Sequence, residues 1–218
     1  MVKNNYSYPI LYTFRRCPFA IRARLTLAYS SISVELKEIS LKNRPSELFA
    51  VSPKGTVPVL CLNNHTIIDE SLEIMKWALH QNDPESWIGH NKKIQFEMIA
   101  KYDNEFKYWL DRYKYYDRYP EKNQYYYRNK CDEYLAKLNI ALGDNRYILS
   151  NRICLIDIAI LPFVRQFANV DKKWFKNNYL YIDSWLNNLS KSKLFLSVMH
   201  KYSEYTPEQK PLVINFNI

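Results

Sequence analysis

The stretch PILYTF (Pro9–Phe14) followed directly by RRCPFAIRARLTL (Arg15–Leu27) decides the fold. PILYTF is a β-branched and aromatic run of strand length. Behind it, Pro18 is pre-set for the first position of a helix, and this helix runs to about Ser30. A cysteine, Cys17, therefore stands at a strand-to-helix junction. Outward from there, ISVELKEIS (Ile32–Ser40) alternates apolar Ile32, Val34, Leu36 and Ile39 with polar neighbours, as a half-buried strand does. Pro45–Val51 reads as a short helix. VPVLCL (Val57–Leu62), the turn-like Asn63-Asn64 and the run His65–Asp69 read as two strands of a hairpin. Ser71–Gln81 reads as a helix, which completes the order βαβαββα.

NDPESWIG (Asn82–Gly89) has Pro84, Gly89 and few periodic positions, so the first domain is placed at 1–83, a linker at 84–89 and an all-helical domain at 90–218. Lys92–Arg118 reads as one long helix with Tyr102, Phe106, Trp109, Tyr113 and Tyr116 on a single stripe. Tyr125–Leu142 reads as its antiparallel partner, stopped by Gly143. Ile153–Phe167 (ICLIDIAILPFVRQF) is apolar nearly all round, which marks a helix at the centre of its domain. Shorter helices are expected at Tyr179–Leu189 and Ser192–Lys201. The fold class is α/β followed by all-α.

Composition removes several functions. The chain has 218 residues, 47% apolar and 24% charged, which excludes disorder and disulfide-knot classes. Three glycines cannot build a Rossmann fingerprint or a P-loop, each of which needs several within a few residues. Cys17, Cys61, Cys131 and Cys154 lack the close spacing of a zinc knuckle or dithiol motif, and the four histidines show no ligand spacing, so no metal is expected. MVKNNYSYPI contains no long apolar h-region, and no stretch approaches the ~18 apolar residues of a membrane helix. The expectation is a reduced, cytoplasmic protein without membrane contact. The net charge is +9, with 10 basic and 8 acidic residues in 1–85 against 21 and 14 in 86–218. The lysines of the second half are spread among Asp and Glu, which reads as a solvated basic face more than a nucleic-acid footprint.

Cys17 carries the chemistry. Unpaired N–H groups and the dipole at a helix start stabilise an anion and lower a thiol pKa from ~8.5 towards neutrality. Arg15 and Arg16 add positive charge. Ala20 stands where a CxxC pair needs its second cysteine, so no local dithiol cycle is available. The competing reading of an isolated Cys-Pro is a small buried hydrophobe.

With CPFA after the first strand, KGTVPVL (Lys54–Leu60) entering the third and Asp69-Glu70-Ser71 opening the third helix, the chain resembles a cytosolic glutathione transferase of the cysteine type. ISLKNRPSELF (Ile39–Phe49) and SPKGTVPVL (Ser52–Leu60) look most like the omega class, and bacterial relatives share the pattern. The resemblance implies a thioredoxin-like N-terminal domain, a helical-bundle C-terminal domain and glutathione as cosubstrate. Carried over by position, Cys17 matches the catalytic cysteine and Phe19 an aromatic beside it. Pro58 matches a cis-proline, and Val57 offers its backbone to the cysteinyl part of glutathione. Glu70 and Ser71 match the pair that holds the γ-glutamyl group, and Arg44 falls where a lysine contacts the glycyl end. Plainer readings stand beside these: Val57–Leu60 as strand core, Ser71 as a helix cap, Arg44 as a solvated charge. Trp109, Tyr113 and Tyr116 are the candidates for the second-substrate pocket, with plain helical core as their alternative. The family's cap on the central helix, a Ser or Thr three residues before Asp, is here Cys154 before Asp157, and sulfur is a poor acceptor.

The resemblance implies a glutathione-dependent thiol transferase or reductase acting on a small electrophilic or disulfide substrate, dehydroascorbate being an example, with weak glutathione conjugation, and a homodimer. The alternative is a non-catalytic relative of the stringent-starvation type that contacts RNA polymerase.

Overall fold

The computed structural model describes residues 8–63, 66–89 and 91–216. Asn64, in the expected turn, and His65, at the start of the expected second strand of the hairpin, lie outside them. The chain divides into two compact units, one of Met1–Pro84 with Lys193–Ile218 and one of Glu85–Ser192.

The first unit follows the expected element order and then extends it. It comprises β1 (Ile10–Thr13), α1 (Pro18–Tyr29), β2 (Val34–Glu38), α2 (Ser46–Val51), β3 (Val59–Cys61), β4 (Ile67–Ile68) and α3 (Ser71–Gln81). All four residues of β1 are buried, because it is the central strand of the order β4-β3-β1-β2-β5, in which β5 is Val213–Ile214. It pairs parallel to β2 and antiparallel to β3, and β4 closes the hairpin antiparallel to β3. β2 alternates buried and half-buried residues as its sequence pattern requires. α1 is buried along nearly its whole length, between the sheet, α3 and α10 (Lys193–Ser197). Its apolar residues Ile21, Leu25 and Leu27 are each worth about 1.5–3 kcal/mol of burial.

The fifth strand corrects the sequence division at 90–218. β5 (Val213–Ile214) pairs antiparallel with Val34–Glu35 on the free edge of β2. Two further bonds hold the same segment: Arg24 Nε donates to Val198 O at 3.1 Å, and Tyr205 N donates to Glu38 O at 2.7 Å. Residues 193–216 thus pack with the first unit, because hydrogen bonds to β2 and α1 outweigh their position in the sequence.

The second unit contains α4 (Lys92–Lys101), α5 (Lys107–Lys114), α6 (Gln124–Asp144), α7 (Leu155–Ala168), α8 (Lys172–Asn178) and α9 (Leu180–Ser190). The single helix expected over 92–118 is interrupted by a π-turn at Tyr102–Phe106 and ends in a 3₁₀ turn at Tyr116–Arg118. At the π-turn, Tyr102 and Phe106 stack 5.0 Å apart and both meet Tyr134 of α6. Gly143 does not stop α6, which runs one residue past it to Asp144. The expected linker also takes part in packing. Trp87 is 1% exposed, and its carbonyl accepts from Leu155 N and Gln95 Nε2, which ties residues 85–89 to α4 and α7. α7 is buried from Leu155 through Val164, the central helix its composition predicts.

At the start of α7, Asp157 is fully buried and accepts three bonds: Cys154 N at 2.9 Å, Ile148 N at 3.1 Å and Trp185 Nε1 at 2.9 Å. Both halves of the cap that sulfur was expected to weaken are in place, the Asp157 carboxylate facing the Cys154 N–H and the Cys154 sulfur facing the N–H of Asp157, and the Cys154 thiol also donates to Arg152 O at 3.5 Å. Among the described residues no helix is long and apolar enough to cross a membrane.

Candidate functional site

Cys17 is the residue immediately before α1, in extended backbone (φ −69°, ψ 123°), with Pro18 opening the helix and no acidic residue in its first turn. The turn that delivers it from β1 is fixed by a buried charge. Arg24, two turns further along α1, donates to Arg15 O at 2.8 Å, to Phe14 O at 3.4 Å and to the Thr13 hydroxyl. Burial pushes the Arg24 pKa down to about 10, with Glu38 opposing, so the guanidinium stays charged. Glu38 accepts from Arg15 N at 2.6 Å and pins the same turn to β2.

The Cys17 thiol is half-buried against the cluster of Ile10, Tyr12, Ile39, Leu48, Val57, Val59 and Cys61. It donates to Val57 O at 3.5 Å, and the Val57–Pro58 peptide bond is cis. The thiol therefore lies beside the backbone that enters β3. All four cysteines are free thiols and the other three are buried; burial pushes Cys61 up to about 11 and raises Cys131 and Cys154 as well.

A second group of residues surrounds the start of α3. Glu70 precedes the helix in extended backbone, and Ser71 is its first residue, 3% exposed. The Ser71 hydroxyl accepts two bonds from Arg22 of α1, from Nε at 3.0 Å and Nη2 at 2.9 Å. The Phe19 ring lies 5.1 Å from the centre of the same guanidinium. The Glu70 carboxylate accepts from Lys54 Nζ at 2.8 Å, and Asp69 lies 3.4 Å from the same ammonium while accepting from Ser52 Oγ at 3.2 Å. The hydrogen bond to Glu70, then its charge, raises the Lys54 pKa. Gly55 beside it has φ +58°, a left-handed backbone that glycine adopts without strain.

The structure thus brings Cys17 to Val57 and Pro58, Ser71 to Arg22 and Phe19, and Glu70 to Lys54. It leaves Arg44 exposed in the segment ahead of α2. Lys54, Asp69 and Arg22 were missed as site residues, although KGTVPVL, the residue before Glu70 and the RAR of α1 held the signal.

The aromatic candidates of the helical unit separate. Tyr113 is buried against Phe167 at 4.9 Å and lines a cavity of about 440 Å³ with Tyr125, Arg128, Asn169 and Lys172. Burial pushes the Tyr113 phenol up to about 12, with the Arg128 charge opposing. Trp109 packs edge-on against Tyr108 at 4.8 Å, and Tyr116 is exposed on the 3₁₀ turn.

A thiol at a helix start, a cis-proline strand entry and a charged helix start on one sheet define a thiol-bearing α/β domain joined to a helical unit. Comparison with known proteins narrows this class. The family profile "Glutathione S-transferase, N-terminal domain" matches residues 11–87. A probable glutathione transferase from Aplysia californica is 43% identical over 95 residues, which are 40% of this chain and all of the relative. Glutathione S-transferase omega-1 from Rattus norvegicus is 25% identical over 201 residues, 88% of this chain and 76% of that protein. Among solved structures, a glutathione transferase family member from Pseudomonas fluorescens, with two glutathione bound, superposes with a TM-score of 0.76 at 14% identity, over 88% of this chain and 92% of that one. The chain belongs to the glutathione transferase family.

Proposed function

We propose that the protein is a glutathione-dependent thiol transferase or reductase that works through Cys17 alone. The observation that carries this reading is the Cys17 thiol, half-buried at the start of α1 and bonded to Val57 O, with Ala20 where a CxxC motif would have its second cysteine. The Cys17 thiolate attacks the glutathionyl sulfur of a mixed disulfide, G–S–S–R. A Cys17–S–S–glutathione bond forms and the R–S⁻ thiolate leaves, taking a proton from solvent. A second glutathione, as its thiolate, then attacks the glutathionyl sulfur, regenerates Cys17 and departs as oxidised glutathione.

The helix N-terminus stabilises the thiolate in both steps as attacker and as leaving group. Glutathione lies with its cysteinyl backbone along Val57, its γ-glutamyl carboxylate at Ser71 and its amine at Glu70, and Phe19 covers the guanidinium behind Ser71. Arg44 meets the glycyl carboxylate from the segment ahead of α2. Trp109, Tyr113 and Tyr116 belong to the proposal as second-substrate contacts, and Tyr113 among them lines a cavity. Reduction of a substrate such as dehydroascorbate and weak conjugation, a cytoplasmic setting and a homodimer complete the reading.

The test is intact mass after incubation with oxidised glutathione, for wild type and Cys17→Ser. The expected result is a single glutathionyl adduct, removed by reduced glutathione and lost in the variant. An adduct that survives Cys17→Ser, or none in wild type, overturns the mechanism and leaves a non-catalytic binding role for the fold.

A further inference from the structure

The Ser71 hydroxyl is committed on its acceptor side. A serine oxygen has two lone pairs and one proton. Both lone pairs are filled by one guanidinium, through Arg22 Nε at 3.0 Å and Nη2 at 2.9 Å. Arg22 is 1% exposed, and arginine keeps its charge when buried, so these two donors do not switch off with pH. The remaining Ser71 proton meets no acceptor among the described residues. Ser71 is also the first residue of an 11-residue helix, where backbone N–H groups lack partners within the helix.

From this geometry we infer that Arg22 is a positioning residue: it holds the Ser71 hydroxyl as an outward donor and makes this subsite selective for a free carboxylate. The inference rests on the glutathione reading above, which already puts the γ-glutamyl carboxylate at Ser71, and adds the residue that fixes the direction of that hydroxyl. A ligand atom facing Ser71 must accept a hydrogen bond. A carboxylate oxygen does so, whereas an ammonium or amide N–H would oppose the hydroxyl proton. The guanidinium lies one hydrogen bond behind the oxygen and polarises the hydroxyl in a site with little water, which strengthens the bond to an anion. Phe19, 5.1 Å from the guanidinium centre, covers the charge and keeps its fork from turning to solvent.

The experiment measures binding of reduced glutathione and of γ-aminobutyryl-cysteinylglycine, which retains the amine but lacks the γ-glutamyl carboxylate. Isothermal titration is carried out on wild type, Arg22→Met and Arg22→Lys, with folding checked by circular dichroism. Wild type is expected to prefer glutathione by about 10- to 100-fold, the range of a charge-assisted hydrogen bond. In Arg22→Met the preference should fall to about threefold or less. Arg22→Lys keeps a charge but not the fork, and should also lose most of the preference. A purely structural Arg22 would weaken both ligands alike and leave their ratio unchanged, so a folded variant with the wild-type ratio overturns the inference. If Arg22→Met does not fold, Arg22→Lys supplies the same reading. Equal affinity of wild type for the two ligands overturns the inference by itself and leaves the glutathione reading standing. Binding of neither ligand by wild type overturns the glutathione reading, and the inference with it.

Discussion

Two helices of this protein begin in the same way and end in opposite chemistry. α1 and α7 each have a cysteine immediately before their first turn; the Cys17 sulfur makes no cap bond, whereas Cys154 and Asp157 form a reciprocal capping box. At α7 the positive end is filled from within: Asp157, in the first turn, accepts the Cys154 and Ile148 N–H groups and the Trp185 indole. The thiol beside it is buried, and its pKa is raised by burial and then by the Asp157 charge. At α1 the first turn has no acidic residue, and the thiol is half-buried and turned to a backbone carbonyl. A helix start stabilises one anion well. Where the fold provides the anion, the cysteine is structural; where it does not, the thiol itself can become the anion.

The same substitution at both positions should separate these roles. Cys17→Ser is expected to abolish glutathionylation and reductase turnover, the largest effect, while changing the unfolding midpoint little, because the Cys17 sulfur caps nothing. Iodoacetamide under native conditions should label one thiol of four in wild type and none in Cys17→Ser. Labelling of native Cys154 at a comparable rate would collapse the distinction between the two helix starts.

Removing the internal anion comes next in size. Asp157→Ala leaves two backbone N–H groups and an indole N–H buried without their acceptor, and should cost about 3–5 kcal/mol in urea unfolding. Loss of less than about 1 kcal/mol would mean that water reaches the three donors, and α7 would then be no more closed than α1.

How much of this contrast could be read from sequence depends on its range. β1, α1, α3 and α7 were legible because periodicity, Pro18 and the all-round apolar run act within each segment. Cys17 and Ser71 could be placed for the same reason, each lying at a helix start marked by its neighbours. What could not be read depends on distant partners. β5 is two residues long and exists through its pairing with β2, and α8 is a seven-residue helix whose main local signal was Asp171 accepting from Trp174 N. The π-turn at Tyr102–Phe106 answers to Tyr134 on another helix, and Arg22 acquires its role from Ser71, 49 residues away.

Asp157 also provides a pH signature that α1 lacks. Burial outweighs its three hydrogen bonds and pushes its pKa from 3.8 up to about 6. A carboxyl whose folded pKa lies above its unfolded value binds its proton more tightly in the folded state. Its stabilising contribution is complete below about pH 3.8 and is lost as pH rises through 6. Wild-type stability measured against Asp157→Asn, which cannot titrate there, should therefore fall by roughly 2–3 kcal/mol from pH 4 to pH 7. A flat difference across that window would show that the three donors hold the carboxylate ionised throughout.

The smallest expected effect falls on Cys154 itself. Cys154→Ser places a good cap acceptor where sulfur now donates to Arg152 O, and the Ser-x-x-Asp that results is a more favourable capping pair than Cys-x-x-Asp. The gain is limited, because Asp157 already satisfies the Cys154 N–H and a serine hydroxyl in a buried site must find its own partner. The expected change is within about 1 kcal/mol on the stabilising side, read from urea midpoints, with glutathionylation at Cys17 unaltered. Destabilisation by more than that would show that Cys154 is retained for its packing volume. A change in adduct formation at Cys17 would be the more damaging result, because it would tie together two helix starts whose chemistry is here assigned to their own first turns.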